Sequence, residues 1–323
     1  MHVLITGGAG FLGSHLVDRT LRDGHTVTIV DDLSTGSMSN LRDALATERA
    51  TFVHGDVGAS STALVDVLAG AGTAPLDAIY HLASPASPKA YAAHQRATLA
   101  VNSLGTMACV DLAVRASIPL LFASTSEVYG DPLEHPQRET YFGNVNPVGP
   151  RSCYDEGKRF GEAVVAAGMR EHALRGRIVR LFNAYGPRMI IGDGRLIPAL
   201  LEALEAKRPF LVHGTGEQMR SMTYVSDVID GLITVMATEF DEPQPVNLGS
   251  HDERSVNDIA GALALVAQVP FAVESLPKRP EDPQRRRPDL TRAQRLGWEP
   301  KVALETGLRE TYAWYVRQQL TST

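Results

Sequence analysis

Two cysteines in 323 residues, Cys109 and Cys153, are too few for a disulfide framework and fit a reducing compartment. No apolar run reaches the ~18 residues that crossing a membrane requires. The first strand starts at His2 or Val3, which leaves no room for a signal peptide. The expectation is a soluble cytoplasmic protein with no membrane partner. Positive charge is in the minority: 31 Lys and Arg stand against 37 Asp and Glu, for a net charge of −6. A polybasic face for nucleic acid is therefore not expected, although a local basic site stays open. His54, His81 and His213 lack metal-ligand spacing, and no metal is expected. Repeats and low-complexity tails are missing as well. Against these absences stands a hydrophobic content of 44%, enough to fill a large core. The length suits two domains or one large one.

The chain is organised around its first turn. Val3-Leu4-Ile5-Thr6 reads as a buried strand, and Gly7, Gly10 and Gly13 follow at three-residue spacing. A helix then begins near Leu12, with Leu12, Leu16 and Val17 on one face. Strand, glycine turn and helix together make a dinucleotide site. Gly7 permits the tight turn, Gly10 lets the backbone approach a pyrophosphate, and Gly13 lets helix and strand pack closely. Gly7, Gly10, Phe11, Leu12 and Gly13 are the expected phosphate-side residues, because a helix N-terminus offers free N–H groups. The next strand, Thr26 to Val30, ends on Asp31, 18 residues beyond Gly13. The fingerprint expects a ribose-binding acid after ~20 residues. Asp31 and Asp32 would repel a 2′-phosphate, which predicts NAD rather than NADP. The polar loop after them, with Leu33, Thr35 and Gly36, is placed to wrap the adenosine.

Further strands are expected at 51–57, 78–83, 119–123 and 177–182. A helix over 62–68 and a long Ala-rich helix from about Tyr91 to Ala116 alternate with them. This rhythm predicts an α/β fold with a doubly wound parallel sheet of the Rossmann type. Ligands in such sheets sit beyond the C-terminal strand ends. Asp56, Val57, Leu82, Ala83, Ser84, Ala123 and 124–129 all fall there, and so join the candidate cofactor site. From 131 to 150 the chain reads as an ordered loop over the site. A helix follows from Cys153 or Tyr154 to about His172. Beyond Phe182 the βα rhythm fades. Helices are expected at 198–206, 226–236 with Ser226 as N-cap, and 256–266, with a strand at 210–212. The reading is a dinucleotide-binding domain over 1–182 and a smaller mixed α/β substrate domain over 183–323, part of which crosses back to the first.

Tyr154 and Lys158, spaced i, i+4 at a helix start, lie on one face. An ammonium beside a phenol favours phenolate, which makes Tyr154 a candidate general base for a sugar or alcohol hydroxyl. The run Arg285-Arg286-Arg287, before a proline in an acidic chain, suits anion binding.

With these residues in place the chain resembles the extended short-chain dehydrogenases/reductases over nearly its whole length. Within them it looks most like the UDP-glucuronate decarboxylases. The carrying stretches are 81–88 (HLASPASP), 123–132 (ASTSEVYGDP), 143–158 around Tyr154 and Lys158, 181–189 around Asn183, and 285–289 with 297–300. The resemblance implies oxidation of the sugar C4 hydroxyl by NAD, with Tyr154 as base and Thr125 or Ser126 holding the hydroxyl. Loss of CO2 from the 4-keto sugar and return of the hydride then give UDP-xylose, so NAD is regenerated. It implies that Glu127 assists the ring chemistry or positions a water, and that Arg286 faces the substrate carboxylate; like-charge repulsion from Glu127 would press that carboxylate out of plane. Asn183 and Arg220 would hold the diphosphate, with Pro85, Ala86, Arg188, Arg195 and Tyr224 completing the substrate side and Asn102 the cofactor side. A homodimer through the helices near 91–116 and 154–172 is implied too. Ala184, Ile190, 197–199 and Ala100 depart from the family pattern. They leave open the nucleotide base and a UDP-glucuronate 4-epimerase or another NDP-sugar 4-epimerase or dehydratase; the uronate 4-epimerase keeps the same cofactor, tyrosine and lysine. A non-catalytic NAD-binding scaffold is the reading from a different class.

Overall fold

The computed structural model describes residues 1–70, 72–277 and 285–322. Six strands carry the first half: β1 (His2–Thr6), β2 (Thr26–Asp31), β3 (Ala50–His54), β4 (Ala78–His81), β5 (Leu120–Thr125) and β6 (Gly176–Leu181). A seventh, Val246–Leu248, comes from the second half and pairs in parallel with β6, so the chain does return to the sheet. From one edge to the other the order is Val246–Leu248, β6, β5, β4, β1, β2, β3, and every pairing is parallel.

The apolar runs explain the architecture. A parallel sheet is covered on both faces, so its strands need not alternate in polarity. Alternate residues of β1 supply two cores: Val3 and Ile5 pack with Leu16 and Val17 of α1 (Phe11–Arg22), and Leu4 packs with Leu64, Ala108 and Val165 on the other face. The first core runs on into the second half through Ile229, Leu232 and Leu263. Chain order reverses between β1 and β4, and their register sets Thr6 beside both Val30 and His81. At such a reversal the loops diverge and leave a crevice.

Four expectations need correction. The helix anticipated from Tyr91 to Ala116 is broken. Pro88–Ala93 ends at His94, Gln95–Ala100 follows, a π-helical turn spans Val101–Gly105, and Thr106–Ala116 completes it. A π-turn adds one residue to the helical repeat, and apolar spacing alone does not reveal it. Residues 55–57 leave β3, because Asp56 Oδ1 accepts the Gly58 N–H at 2.8 Å and closes a turn. Ser226 is not an N-cap: Val225–Ala237 is preceded by Tyr224. Asp227 instead accepts the N–H groups of Lys301 (3.0 Å) and Val302 (2.9 Å), tying down the chain before the last helix. Finally, Gln95–Ala116 is long and apolar enough by composition to cross a membrane. Half of that window is buried in the protein, against the Ser152–His172 helix and the sheet. Such burial is how a core helix passes the same test.

Candidate active site

A cleft of about 700 Å³ opens along the C-terminal ends of the strands. One wall is the glycine turn. Gly7 has φ +72°, and a Cβ there would stand 2.7 Å from the Ala83 backbone; a Cβ at Gly13 would collide with the Gly7 carbonyl oxygen. The turn is thus as narrow as its sequence suggested. The start of α1 carries no side-chain cap and no acid in its first turn, and Phe11, Leu12 and Gly13 face the cleft. An uncapped helix start of this kind suits a phosphate.

Asp31 also lines the cleft, but it braces the turn as well. Its carboxylate accepts the N–H of Ala9 at 2.9 Å and of Leu33 at 2.8 Å. Burial raises its pKa, and these two amides oppose the rise. Asp32 is exposed and holds the N–H and hydroxyl of Ser34. Thr35, Asp56, Val57, Leu82, Ala83, Ser84 and Ala123 line the cleft. Three expected cofactor residues stand behind its wall. Leu33 serves Asp31 through its amide and packs on the core. Gly36 lies against Asp31, where a Cβ would be 2.8 Å from Oδ1. Asn102 is fully buried in the π-turn, where it donates to Ser84 Oγ at 3.0 Å and to the Thr98 carbonyl at 2.8 Å.

Tyr154 and Lys158 occupy the first turns of Ser152–His172 and share one face, yet they are not hydrogen-bonded to each other. Lys158 Nζ donates to the Ala123 carbonyl at 2.8 Å and sits 6.0 Å from the Tyr154 ring centroid. Burial brings its pKa down to about 7, with Glu162 acting in the other direction. Tyr154 stacks on Tyr91 at 5.2 Å and shares a hydrogen bond with Thr125. Burial raises the phenol pKa, so the lowering expected from the lysine alone is absent. The reason is that the ammonium addresses a carbonyl, while desolvation acts on the phenol directly.

Glu127, in the turn after β5, carries two arginines. Arg286 pairs with both carboxylate oxygens, its Nη2 lying 3.0 Å from Oε2. Arg151, one residue ahead of the Ser152–His172 helix, pairs with Oε2. Burial pushes the Glu127 pKa up, but Arg286 and Arg151 together outweigh it and hold the group ionised. The like-charge action expected of Glu127 is therefore largely neutralised before any substrate arrives. Asp155, buried beside Arg151, is pushed the other way by burial and by Glu127.

On the substrate side, Pro85, Ala86, Thr125, Ser126, Asn183, Arg195 and Arg220 line the cleft. Asn183 Nδ2 is buried with no partner, a donor suited to an anionic oxygen. Arg195 pairs with Asp193 at 2.6 Å and lies over the Phe11 ring at 5.7 Å. Two expected residues are turned away. Arg188 binds Asp18 at 2.7 Å, and Tyr224 packs edge-on against Tyr185. Neither lines the cleft, because each is held by a partner from another segment, Asp18 on α1 for Arg188 and Tyr185 for Tyr224. Among the described residues no group of three His, Cys, Asp or Glu is gathered as a metal site.

The NAD-dependent epimerase/dehydratase family model matches residues 3–249. The chain belongs to this family. It is 43% identical to UDP-glucuronic acid decarboxylase 1 of Danio rerio over 98% of its own length and 73% of that protein's. It is 42% identical to UDP-glucuronic acid decarboxylase 5 of Arabidopsis thaliana, covering 95% of this chain and 87% of that one. Among solved structures, the dTDP-glucose 4,6-dehydratase of Streptomyces venezuelae with NAD bound superposes with a TM-score of 0.87 at 28% identity, over 99% and 98% of the two chains. Family membership makes NAD the cofactor, and the residues present fit it. The narrow glycine turn and the uncapped helix start would receive its phosphates, and the acid at the end of β2 its ribose. Asp31 leaves lone pairs for a ribose diol but none of the positive charge that a 2′-phosphate requires. NADP is expected to bind at least tenfold more weakly than NAD in calorimetry on cofactor-stripped protein. Equal affinities would remove Asp31 from the ribose.

The sequence reading missed Tyr91 and Arg151. Tyr91 backs the phenol from the Pro88–Ala93 helix, and nothing in its local pattern says so. Arg151 was findable: it lies three residues before Tyr154 and so shares its helix face.

Proposed function

We propose that the chain is an NAD-dependent UDP-glucuronate decarboxylase, converting UDP-glucuronate to UDP-xylose and CO2 through a 4-keto intermediate. The observation that carries the reading is a buried carboxylate–arginine cluster, Glu127 with Arg286 and Arg151, in the same cleft as Tyr154 and the glycine turn. A neutral sugar needs no such cluster beside its reacting carbons, whereas a uronate does. Near-full-length identity to two curated decarboxylases supports the same substrate.

Bound NAD would take the C4 hydride and later return it. Tyr154 accepts the C4 hydroxyl proton, with Thr125 holding the phenol in line. The C4 ketone is β to the C6 carboxylate, so the C5–C6 bonding pair can pass onto the ketone as CO2 leaves. A proton from solvent then adds to C5, and Tyr154 gives its proton back to the C4 oxygen when the ketone is reduced. Arg286 anchors the carboxylate until it departs. Asn183 and Arg220, which line the cleft, suit the diphosphate. Proton NMR of the sugar nucleotide product is the test. UDP-xylose with no net NADH is expected; UDP-galacturonate without CO2 release would assign the chain to 4-epimerisation.

The same reading includes a homodimer. Leu99, Leu104 and Met107 on the broken helix and Phe160 on the Ser152–His172 helix are 37–44% exposed, an apolar face that a second copy could cover. Two unpaired, buried cysteines fit a cytoplasmic setting.

A further inference from the structure

Glu127 holds more positive charge than it needs. Its carboxylate takes two hydrogen bonds from Arg286 and one from Arg151. Arg286 is nearly sealed, with 6% of its side chain exposed, and Arg151 is 20% exposed at the cleft wall. The next acid, Asp155, lies 3.7 Å from Arg151 Nε, and its own Oδ1 has no partner. Asp155 is therefore only loosely engaged with the pair, and burial favours its neutral form. Two guanidiniums facing one firmly ionised carboxylate leave room for one more anion.

We propose that Arg151 is the charge-balancing residue that lets Arg286 accept a substrate carboxylate. This rests on the uronate reading above. When the carboxylate docks, Arg286 turns from Glu127 to the new anion, and Arg151 alone keeps Glu127 paired. Without Arg151, two carboxylates would share one guanidinium. The newcomer would then have to displace Glu127 into an unpaired, buried state, which is strongly unfavourable. Arg151 thus sets preference for a uronate over the matching neutral hexose without touching the reacting carbons. Its position just ahead of the helix bearing Tyr154 ties this preference to the placement of the base.

The test is calorimetry on the NAD-loaded protein in a Tyr154→Phe background, where turnover is slowed, with UDP-glucuronate, UDP-glucose and UDP as ligands. Arg151→Gln is expected to lower the preference for UDP-glucuronate over UDP-glucose at least tenfold while leaving UDP affinity within twofold. Arg151→Lys keeps the charge and is expected to retain most of the preference; it also serves if the glutamine variant does not fold. An unchanged preference, an equal loss for all three ligands, or a lysine variant no better than glutamine would each overturn the proposal. A parent protein that does not prefer UDP-glucuronate to UDP-glucose would instead overturn the uronate reading itself.

Discussion

Tyr154→Phe is expected to lower turnover of UDP-glucuronate by about 10²- to 10⁴-fold, the range a positioned general base supplies. NAD affinity should stay within twofold. The substitution removes one oxygen and keeps the ring, so the stack on Tyr91 at 5.2 Å survives. Only the hydrogen bond to Thr125 is lost. On its own the phenol is a poor base, because burial raises its pKa and Lys158 is occupied with the Ala123 carbonyl. The site therefore becomes basic only when positive charge is brought against the phenol. Lys158, with its pKa down at about 7, is half protonated near neutrality and is the chain's own means of doing so. Turnover in the unaltered protein should then fall as pH rises above 7 and the ammonium is lost. The check is steady-state kinetics of both proteins from pH 6 to 9 alongside NAD calorimetry. Near-normal turnover in the phenylalanine variant would show that another group takes the C4 proton.

How far the sequence could lead depended on what fixes each feature. β1, β4 and β5 are buried on both faces, so short apolar runs disclosed them directly. The glycine turn was legible because a missing side chain is a steric requirement, visible at Gly7 and Gly13 as contacts that no Cβ could accept. Tyr154 and Lys158 were legible as a pair on one face, although not their true partners, Thr125 and the Ala123 carbonyl. Partners set by tertiary approach were beyond reach. Arg188 and Tyr224 sit in segments that do border the cleft, but Asp18 and Tyr185 claim their side chains from the other side. The break at His94 and the π-turn at Val101–Gly105 change the helical repeat by one residue, which apolar spacing in an Ala-rich run does not record. The Glu127 cluster lay between these extremes. Glu127 and Arg286 were named separately and Arg151 was not, because their mutual neutralisation needed three segments, after β5, before Tyr154 and at 286, to meet.

That meeting makes Glu127→Gln the change with the largest expected cost to stability. The side chains of Glu127, Arg286 and Arg151 are 16%, 6% and 20% exposed. Withdrawing the carboxylate charge leaves two guanidiniums facing each other in a poorly hydrated space, and breaking such a buried pair costs about 3–5 kcal/mol. Asp155 moderates this. Its pKa is held up partly by Glu127, so in the variant it ionises more readily and can draw on Arg151, 3.7 Å away. The loss at pH 7 should accordingly fall toward the lower figure. Its pH dependence has a definite sign. Glu127 has a folded pKa lowered from 4.5 to about 2, so its stabilisation is complete above 4.5 and is lost as pH falls toward 2. Glutamine carries no such contribution at any pH. The stability gap between the two proteins, read from urea unfolding, should therefore be wide above pH 4.5 and narrow steadily between pH 4.5 and 2. A gap of the same size at pH 3 and pH 7 would mean that Glu127 stabilises by shape or neutral hydrogen bonding, and that the arginines find their counter-charge elsewhere.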